Sequence, residues 1–417
     1  MRKSRFVLPT LTAIFITACG GSLLAQPERA TTLTEQEQVT PTGIITATGE
    51  VTEQKVSTSS IENIQVDEVT DIENQFLEAY QTGDLAARDS KTLNPDDLKI
   101  SFEDWSLDGK YMLLKVGTGR VLEGRNANDP PGVLRGRVGV YDLWLADTAG
   151  IPLFLLAETV FWYAWSPDGA TITYIHRTVD DGIFDNQLWV MQADGSDRRK
   201  LLSGARSVAW LDNNTIAFID SDNEQLHLID SDGQNVRPLI IEGLASENSK
   251  VVLYALSPDR KKLAFDARGD TKIRIADLAD GQAKLATEIE VPDLSRMSWA
   301  PDSRRLAFSH LCSKPQQKPD CQKIYIAQPD GTIVTQIAHR PDTNVTWSPD
   351  GRWIAFQESN RVYVADTASG QFQLLYTFSP GKQNTTETIH WSPVGKQIGL
   401  NQESVNDATI LSIQMTK

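Results

Sequence analysis

The stretch WSPDGRWIAF, residues 347–356, contains the pattern that decides the fold of this chain. Its Trp ends an apolar segment, its Pro-Asp-Gly turns the chain because Pro fixes φ and Gly tolerates φ > 0, and a second apolar segment follows. Variants of this phrase occur seven times, with starts 43 to 60 residues apart. The copies begin at Trp105, Trp165, Trp210, Leu256, Trp299, Trp347 and Trp391. A period in the forties is typical of a radial β-repeat protein.

Each copy continues with two further strand patterns. An alternating segment such as RVYVAD (361–366) comes after a variable loop, and a Gly-containing turn leads to a fourth segment such as FQLLYTF (372–378). Four short antiparallel strands joined by turns form one propeller blade. The sequence therefore predicts an all-β fold, a β-propeller of seven four-stranded blades over residues 98–417. The largest predicted loop is the insert Gly117–Arg137 in blade 1.

The last copy supplies three strand patterns instead of four. We expect the fourth strand of blade 7 to come from Ser57–Lys99, ahead of the first copy. Such a strand would join the two ends of the ring and leave no long open sheet edge.

The SPDG phrase followed by [IL]-A-F and then by IYVxD resembles the WD40-like (PD40) repeat of TolB-type β-propellers. The resemblance covers residues 98–417, although the copies that contain Leu107, Trp210, Leu256 and Val394 depart from the consensus. TolB's own propeller has six blades, so six is the alternative to the seven that the copies indicate. The resemblance implies a fold and no particular activity, since such blades serve binding proteins, lyases and peptidases.

Residues 1–18 have the features of an export signal. A basic start, MRKSR, precedes the mostly apolar segment Phe6–Ile16. The segment ITAC (16–19) resembles a bacterial lipobox, which implies cleavage after Ala18 and lipidation of Cys19; the alternative is an ordinary signal peptide that contains a Cys. Several acyl chains on one residue give stable membrane anchoring. We therefore expect an extracytoplasmic protein of the bacterial cell envelope, attached to a membrane through Cys19 alone.

Residues 19–68 have the composition of an acidic disordered tether. Thr, Gln, Glu and Ser dominate there, and Gly20–Asp97 holds fifteen acidic residues and four basic ones. Such a segment buries too little apolar surface to fold alone. Residues 69–97 form a short helical or linker segment in our interpretation, because apolar side chains recur at near-helical spacing. Within Val69–Leu93 they are Ile72, Phe76, Leu77, Tyr80 and Leu85.

Cys312 and Cys321 are the two cysteines of the repeat region, and both lie between the second and third strand patterns of blade 5. Outside the cytoplasm, two cysteines that close a hairpin loop most often form a disulfide. Two free thiols or a metal site are the alternatives. The net charge of −15 argues against nucleic-acid binding, which needs clustered Lys and Arg.

A search for catalytic motifs finds none. The sequence has no G-x-S-x-G after the signal, no H-E-x-x-H, no C-x-x-C and no Gly-rich phosphate loop. His176 and His310 occupy the same repeat position, but they lie three blades apart and the chain has five His in all. We therefore assign no catalytic residue, no metal and no cofactor.

The residue just before each repeat Trp is small or polar in every copy. Strand side chains alternate, so we expect this set to face the central channel and the residues one position earlier to pack between blades. Four members are candidate binding residues: Asp104, Ser298, Thr346 and His390. His390 of blade 7 and Asp104 of blade 1 should be neighbours. A His–carboxylate pair can act in acid/base chemistry or metal binding, or it can be a solvated hydrogen-bonded pair.

Two hypotheses of function follow from the sequence. The first is a lipid-anchored extracytoplasmic binding module that offers one propeller face or its channel mouth to a protein or envelope polymer. The second is a carbohydrate-active lyase or hydrolase with a site on one propeller face. The missing acid/base cluster and the absence of a separate catalytic domain favour the first.

Overall fold

Seven four-stranded sheets follow one another along the chain in a computed structural model. The residues that the structure describes are 43–45, 51–53, 64–81, 99–126, 136–244, 251–267, 272–279, 281–291, 294–310, 323–337, 345–358, 360–378, 389–402 and 407–415. They belong to one unit of the chain, Pro41–Lys417. The sheets confirm the predicted all-β propeller with seven blades.

Three strands and one helix precede the first blade: β1 (Gly43–Ile45), β2 (Val51–Glu53), β3 (Ile64–Asp71) and α1 (Ile72–Gln81). Blade 1 contains β4 (Lys99–Trp105), β5 (Tyr111–Gly124), β6 (Gly136–Asp147) and β7 (Pro152–Ala157). Blade 2 contains β8 (Val160–Trp165), β9 (Thr171–Asp180), β10 (Ile183–Gln192) and β11 (Arg199–Ser203). Blade 3 contains β12 (Ala205–Trp210), β13 (Thr215–Asp220), β14 (Leu226–Asp230) and β15 (Arg237–Pro238).

The later blades repeat this order. The short β16 (Ile241–Glu242) runs parallel to the outer strand of blade 4, which contains β17 (Val251–Leu256), β18 (Lys262–Ala267), β19 (Lys272–Ala279) and β20 (Gln282–Glu290). Blade 5 contains β21 (Leu294–Trp299), β22 (Leu306–His310), β23 (Ile324–Ala327) and β24 (Ile333–Ile337). Blade 6 contains β25 (Thr346–Trp347), β26 (Trp353–Glu358), β27 (Arg361–Asp366) and β28 (Phe372–Thr377). Blade 7 contains β29 (Ile389–Trp391), β30 (Gln397–Gln402) and β31 (Asp407–Met415).

Side-chain hydrogen bonds hold each SPDG turn, as the turn of blade 6 shows. The Ser348 hydroxyl donates to Asp350 Oδ1 at 2.6 Å, and the Arg352 N–H donates to the same oxygen at 3.0 Å. The Trp353 N–H donates to Ser348 Oγ at 2.9 Å. Gly351, with φ 69°, completes the turn with an N–H bond to the Ser348 carbonyl. The Ser and Asp of the motif are therefore turn-forming residues, as we predicted.

The repeat Trp residues are buried, and the indoles of four of them link neighbouring blades. Trp Nε1 donates to the carbonyl of the residue before the Trp in the preceding blade. The four such bonds are Trp105 to His390 (3.2 Å), Trp210 to Ala164 (3.1 Å), Trp299 to Ala255 (3.0 Å) and Trp347 to Ser298 (3.1 Å). One buried apolar cluster also lies between each pair of adjacent blades. The Trp residues are thus packing residues.

The ring is closed by β3, which pairs antiparallel with β31 and gives blade 7 its fourth strand. The closing strand therefore comes from the predicted segment Ser57–Lys99. It begins at Ile64, so the boundary that we placed at residue 68 falls inside a strand of the propeller. The sequence gives little sign of this strand, because most of its side chains face solvent on the outer edge of the sheet.

The predicted helix begins later than Val69, the start of the segment in which we placed it. Val69 pairs with Leu411 in the sheet, and the helix α1 begins only after Asp71, whose Oδ1 accepts the Asn74 N–H at 3.1 Å as an N-terminal cap. Ile72 and Phe76 are fully buried in the cluster between blades 7 and 1. The helix is therefore packed on the propeller. No helix among the described residues is both long and apolar enough to cross a membrane.

The insert of blade 1 was predicted to be a loop over Gly117–Arg137, and this is wrong for its described residues. Strands β5 and β6 continue as a hairpin in which Val121 pairs with Gly139 and Gly124 with Gly136. Strands β9 and β10 form a similar long hairpin in blade 2. The Phe184 N–H donates to the Arg125 carbonyl at 2.9 Å, so the two hairpins support each other.

Candidate functional site

The residue before each repeat Trp is half-buried in all seven blades. This exposure agrees with the prediction that the set borders the channel. The set consists of Asp104, Ala164, Ala209, Ala255, Ser298, Thr346 and His390. Ionisable side chains occur in this set in blades 1 and 7. The chemistry of this part of the channel is therefore concentrated where the ring closes.

The structure brings His390 and Asp104 together, as the sequence predicted. His390 Nδ1 lies 3.2 Å from Asp104 Oδ1, and the two side chains are 36% and 35% exposed. Trp105 contacts both residues: its indole donates to the His390 backbone carbonyl at 3.2 Å, and its backbone N–H donates to the side-chain oxygen Asp104 Oδ1 at 2.8 Å. The pair is therefore held in place and still reachable from the channel.

Glu103, Lys115 and Tyr163 extend this pair. Lys115 Nζ lies 3.0 Å from Glu103 Oε2 and 5.6 Å from the centre of the Tyr163 ring. We expected Glu103 to pack between blades with the other residues of its set. A β-bulge between Phe102 and Asp104 shifts the register at Glu103, and its carboxylate forms an ion pair instead. The signal in the sequence was the charge itself, since the equivalent residues are Tyr163, Val208, Tyr254, Met297, Val345 and Ile389.

Charge and burial shift two pKa values in this cluster. Burial in the channel wall opposes protonation of His390, but the Asp104 charge, their hydrogen bond and the Glu103 charge outweigh it, so the pKa of His390 is raised above its usual value. Burial, with the charges of Glu103 and Asp104, raises the pKa of Tyr163 well above its usual value. The cluster therefore favours a cation at His390 and a neutral phenol at Tyr163.

The two remaining candidates differ in their surroundings. Thr346 Oγ1 accepts the Trp391 N–H at 3.0 Å, so this side chain links blades 6 and 7. The Ser298 carbonyl accepts the Trp347 indole, while its half-buried hydroxyl has no bonding partner among the described residues. Thr346 therefore has a structural role, and Ser298 remains a candidate binding residue.

His176 and His310 do not share a site. They lie on β9 of blade 2 and β22 of blade 5, and His176 Nδ1 lies 2.9 Å from the Glu158 carbonyl oxygen. Among the described residues, no group of three or more His, Cys, Asp or Glu could hold a metal ion. The predicted lipidation site Cys19 and the predicted disulfide partners Cys312 and Cys321 lie outside the described residues.

Comparison with known proteins assigns this propeller to a family. The PD40 family model, described as the TolB beta propeller domain, matches residues 206–417. The chain belongs to this family of TolB beta propellers. Among curated proteins, none matches the sequence. The family assignment confirms the predicted resemblance and leaves open what this TolB-type propeller binds.

Solved propeller structures resemble this TolB-type propeller in fold. The β-propeller domain of Myceliophteria thermophila Cps50 (Swd1) is 11% identical, with a TM-score of 0.52 over 75% of this chain and 96% of that one. A chain of a mitotic checkpoint complex is 15% identical, with a TM-score of 0.53 over 92% and 98%. A chain of Kuenenia stuttgartiensis hydrazine synthase is 15% identical, with a TM-score of 0.52 over 74% and 94%. At these identities the likeness concerns the fold alone.

Proposed function

We propose that this TolB-type propeller is a lipid-anchored extracytoplasmic binding module that takes a protein or an envelope polymer at the channel mouth between blades 7 and 1. The fold is compatible with a protein-binding module. The observation that carries the proposal is the reachable His390–Asp104 pair with the Glu103–Lys115 ion pair beside it. Fixed, part-exposed ionisable groups supply orientation and specificity in a binding site.

A pull-down from the native envelope tests this function. Wild-type protein should retain a stable partner, and His390→Gln and Asp104→Asn should each lower the amount retained at least fivefold. Ala209→Ser, which changes a half-buried residue of the same repeat position in blade 3, is the matched control. Equal recovery with wild type and both channel variants would place the binding site elsewhere and overturn the proposal.

The anchor rests on sequence features alone. A basic start, an apolar segment and the lipobox-like ITAC (16–19) support lipidation of Cys19. Cys19→Ser should move the protein from the membrane fraction to the soluble extracytoplasmic fraction. Unchanged membrane attachment would contradict a lipid anchor at this residue. The predicted Cys312–Cys321 disulfide is expected in the same compartment, and intact mass should rise by two hydrogens on reduction.

The second candidate, a lyase or hydrolase acting on carbohydrate, is supported by the same pair. A His in contact with a carboxylate at 3.2 Å can transfer a proton to or from a substrate. Turnover of polyuronates or peptides by the wild-type protein, lost in His390→Gln, would favour the enzyme over the binding module. We expect no such turnover, because the carboxylate next to the pair, Glu103, is held in an ion pair with Lys115 at 3.0 Å.

A further inference from the structure

A groove of about 570 Å³ lies between blades 1 and 2 on the face that carries the SPDG turns. Its walls are mostly apolar. They include Leu107 and Tyr111 from blade 1, Leu153 and Phe154 from β7, and Trp165 from blade 2. Leu107 is 48% exposed and Tyr111 is 39% exposed, and both border the same groove, so they form a contiguous apolar surface with its walls.

The fold does not require Leu107. Five of the six other repeats have Pro at this position of the turn: Pro167, Pro258, Pro301, Pro349 and Pro393. The turn of blade 1 nevertheless forms the usual bonds, with the Ser106 hydroxyl 2.7 Å from Asp108 Oδ1 and the Gly109 N–H 2.9 Å from the Ser106 carbonyl. Leu therefore replaces the residue that turn chemistry prefers, and about half of its side chain stays exposed.

The neighbouring turn of blade 7 departs from the motif in the same direction. Val394 stands where the other SPDG turns have Asp, it is 52% exposed, and it lies against Gly109 of blade 1. Two adjacent turns thus carry exposed aliphatic side chains at positions that are Pro and Asp in most of the other copies. This continuity makes the apolar surface larger than the groove itself.

The equivalent groove between blades 4 and 5 shows what the scaffold alone provides. It has a volume of about 680 Å³ and is lined by polar and charged residues. Lys262 stands at the repeat position of Tyr111, and Pro329 at that of Ala193. Arg305 is already hydrogen-bonded within the protein, since it donates to Asp302 Oδ2 at 3.1 Å and to the Gly351 carbonyl at 2.8 Å. The repeat therefore produces a groove at both places, and the sequence makes only the first apolar.

Carboxylates at the rim indicate the charge of the occupant. Asp168 and Asp194 line the groove. Asp168 Oδ1 accepts hydrogen bonds from the Ser166 hydroxyl and the Ala170 N–H. Asp194 Oδ1 accepts hydrogen bonds from the hydroxyl and the N–H of Ser196. These bonds, led by the Ser hydroxyls, hold the pKa of both carboxyls below the usual value, so both are ionised at neutral pH. Neither has a Lys or Arg partner within the described parts of the chain. An apolar groove with unpaired anions at its rim suits a ligand that is apolar and basic.

We propose that the groove between blades 1 and 2 binds an extended peptide segment of a partner protein in which a large apolar side chain stands next to Lys or Arg. The apolar side chain enters between Leu107, Tyr111 and Phe154, and the basic side chain pairs with Asp168 or Asp194. This site is separate from the channel mouth and rests on the proposed binding function. The net charge of −15 adds a long-range preference for a basic segment.

The probe is a fluorescein-labelled peptide with the core Phe-Lys-Leu-Arg, titrated with purified protein and followed by fluorescence anisotropy. Two further peptides replace either the apolar pair by Ser or the basic pair by Glu. We expect saturable binding of the first peptide and at least tenfold weaker binding of the other two. Leu107→Pro, which restores the motif residue, should weaken binding at least tenfold, and Asp168→Asn with Asp194→Asn about threefold.

The mirror variant Pro258→Leu, in blade 4, is the matched control and should leave peptide affinity unchanged. Because Pro is the usual residue of the turn, Leu107→Pro should keep the wild-type melting temperature; Tyr111→Ser tests the same wall without altering the turn. Equal affinity in both blade 1 variants and the wild type, or equal binding of the Glu-containing peptide, would overturn the proposal. A dimer in sedimentation velocity that Leu107→Pro abolishes, without peptide binding, would identify the occupant as a second copy and overturn it too.

The pull-down described above separates this proposal from the function on which it rests. If wild type retains a partner that His390→Gln loses, and the peptide does not bind, the binding function at the channel mouth is supported and the peptide site in the groove is contradicted. Absence of any partner would contradict the proposed binding at the channel mouth, whereas peptide binding that Leu107→Pro weakens would still support the groove.

Discussion

The grooves between blades 1 and 2 and between blades 4 and 5 have the same place in the repeat and opposite chemistry. The first exposes Leu107 and Tyr111, while the second presents Lys262, Arg304 and Arg305. Both are bordered by SPDG turns with the same Ser–Asp hydrogen bond, at 2.7 Å in blade 1 and 2.6 Å in blade 4. Because the backbone is shared, the difference cannot come from the needs of the fold. It separates what the repeat requires from what this chain adds.

The additions are concentrated where the ring closes. Blades 7, 1 and 2 carry the apolar groove, the His390–Asp104 pair and the covering helix α1. Blades 4 and 5 form the far side of the ring and keep the charged groove. A closing region must join two distant parts of the chain, and here it also holds the groups with recognisable binding chemistry. The following experiments test whether the two sides differ in the ways that the structure indicates.

The largest expected effect concerns the helix on the closing side. Phe76 is fully buried, and the centre of its ring lies 5.4 Å from the centre of the Trp144 ring in an edge-to-face contact. Phe76→Ala should lower the free energy of unfolding by about 3–5 kcal/mol, as expected for a core Phe. Phe308→Ala in blade 5 is the matched core variant, and urea denaturation should give similar losses for both. A loss below about 1 kcal/mol for Phe76→Ala would show that α1 is an accessory and not part of the fold.

A reciprocal exchange of Gly and Ala tests packing at the closure. Gly399 of blade 7 occupies the position of Ala355 in blade 6, and a Cβ at Gly399 would overlap the Phe102 ring of blade 1. Gly399→Ala should therefore cost about 1–3 kcal/mol through overpacking. Ala355→Gly should cost about 1 kcal/mol, through chain entropy and lost burial.

The double variant Gly399→Ala with Phe102→Leu is the specific control for this overlap. Leu at residue 102 is smaller than Phe and leaves room for the Cβ at residue 399, so it should restore part of the lost stability. The two changes should therefore cost less together than the sum of their separate costs. Additive losses would show that Phe102 is not what keeps residue 399 small.

The sequence predicted the blades well because each one repeats its own signals. Seven copies of one phrase predicted the blade count. The positions of His390 and Asp104, each just before a repeat Trp of adjacent blades, predicted their contact. Two features could not be predicted from the sequence. The bulge at Glu103 depends on how β4 and β5 pair, and the groove gathers Tyr111, Phe154 and Trp165 from separate strands. The departure at Leu107 was visible in the sequence, but its exposure was not.

A pair of Trp variants compares the hydrogen bonds on the two sides. Trp299 Nε1 donates to the Ala255 carbonyl at 3.0 Å on the far side, whereas Trp165 Nε1 on the closing side is buried without an acceptor. Trp299→Phe should cost about 1 kcal/mol more than Trp165→Phe, because only the first change leaves a carbonyl without its donor. Both changes remove the same apolar area, so the difference in urea denaturation isolates the hydrogen bond. Equal costs would show that the indole bonds do not contribute to the joining of the blades.

The smallest expected effect is the pH response of His390 on the closing side. Because Asp104 and Glu103 raise the pKa of His390 in the folded protein, its protonation stabilises the fold at pH values below the unfolded pKa of about 6.5. That contribution should be lost as the pH rises through the raised folded pKa. NMR titration should give a lower pKa for His390 in Asp104→Asn, and a smaller decrease in Glu103→Gln. His390→Gln assigns the resonance and should remove this part of the pH dependence of stability. A His390 pKa that does not change in Asp104→Asn would show that the contact at 3.2 Å is not an ion pair.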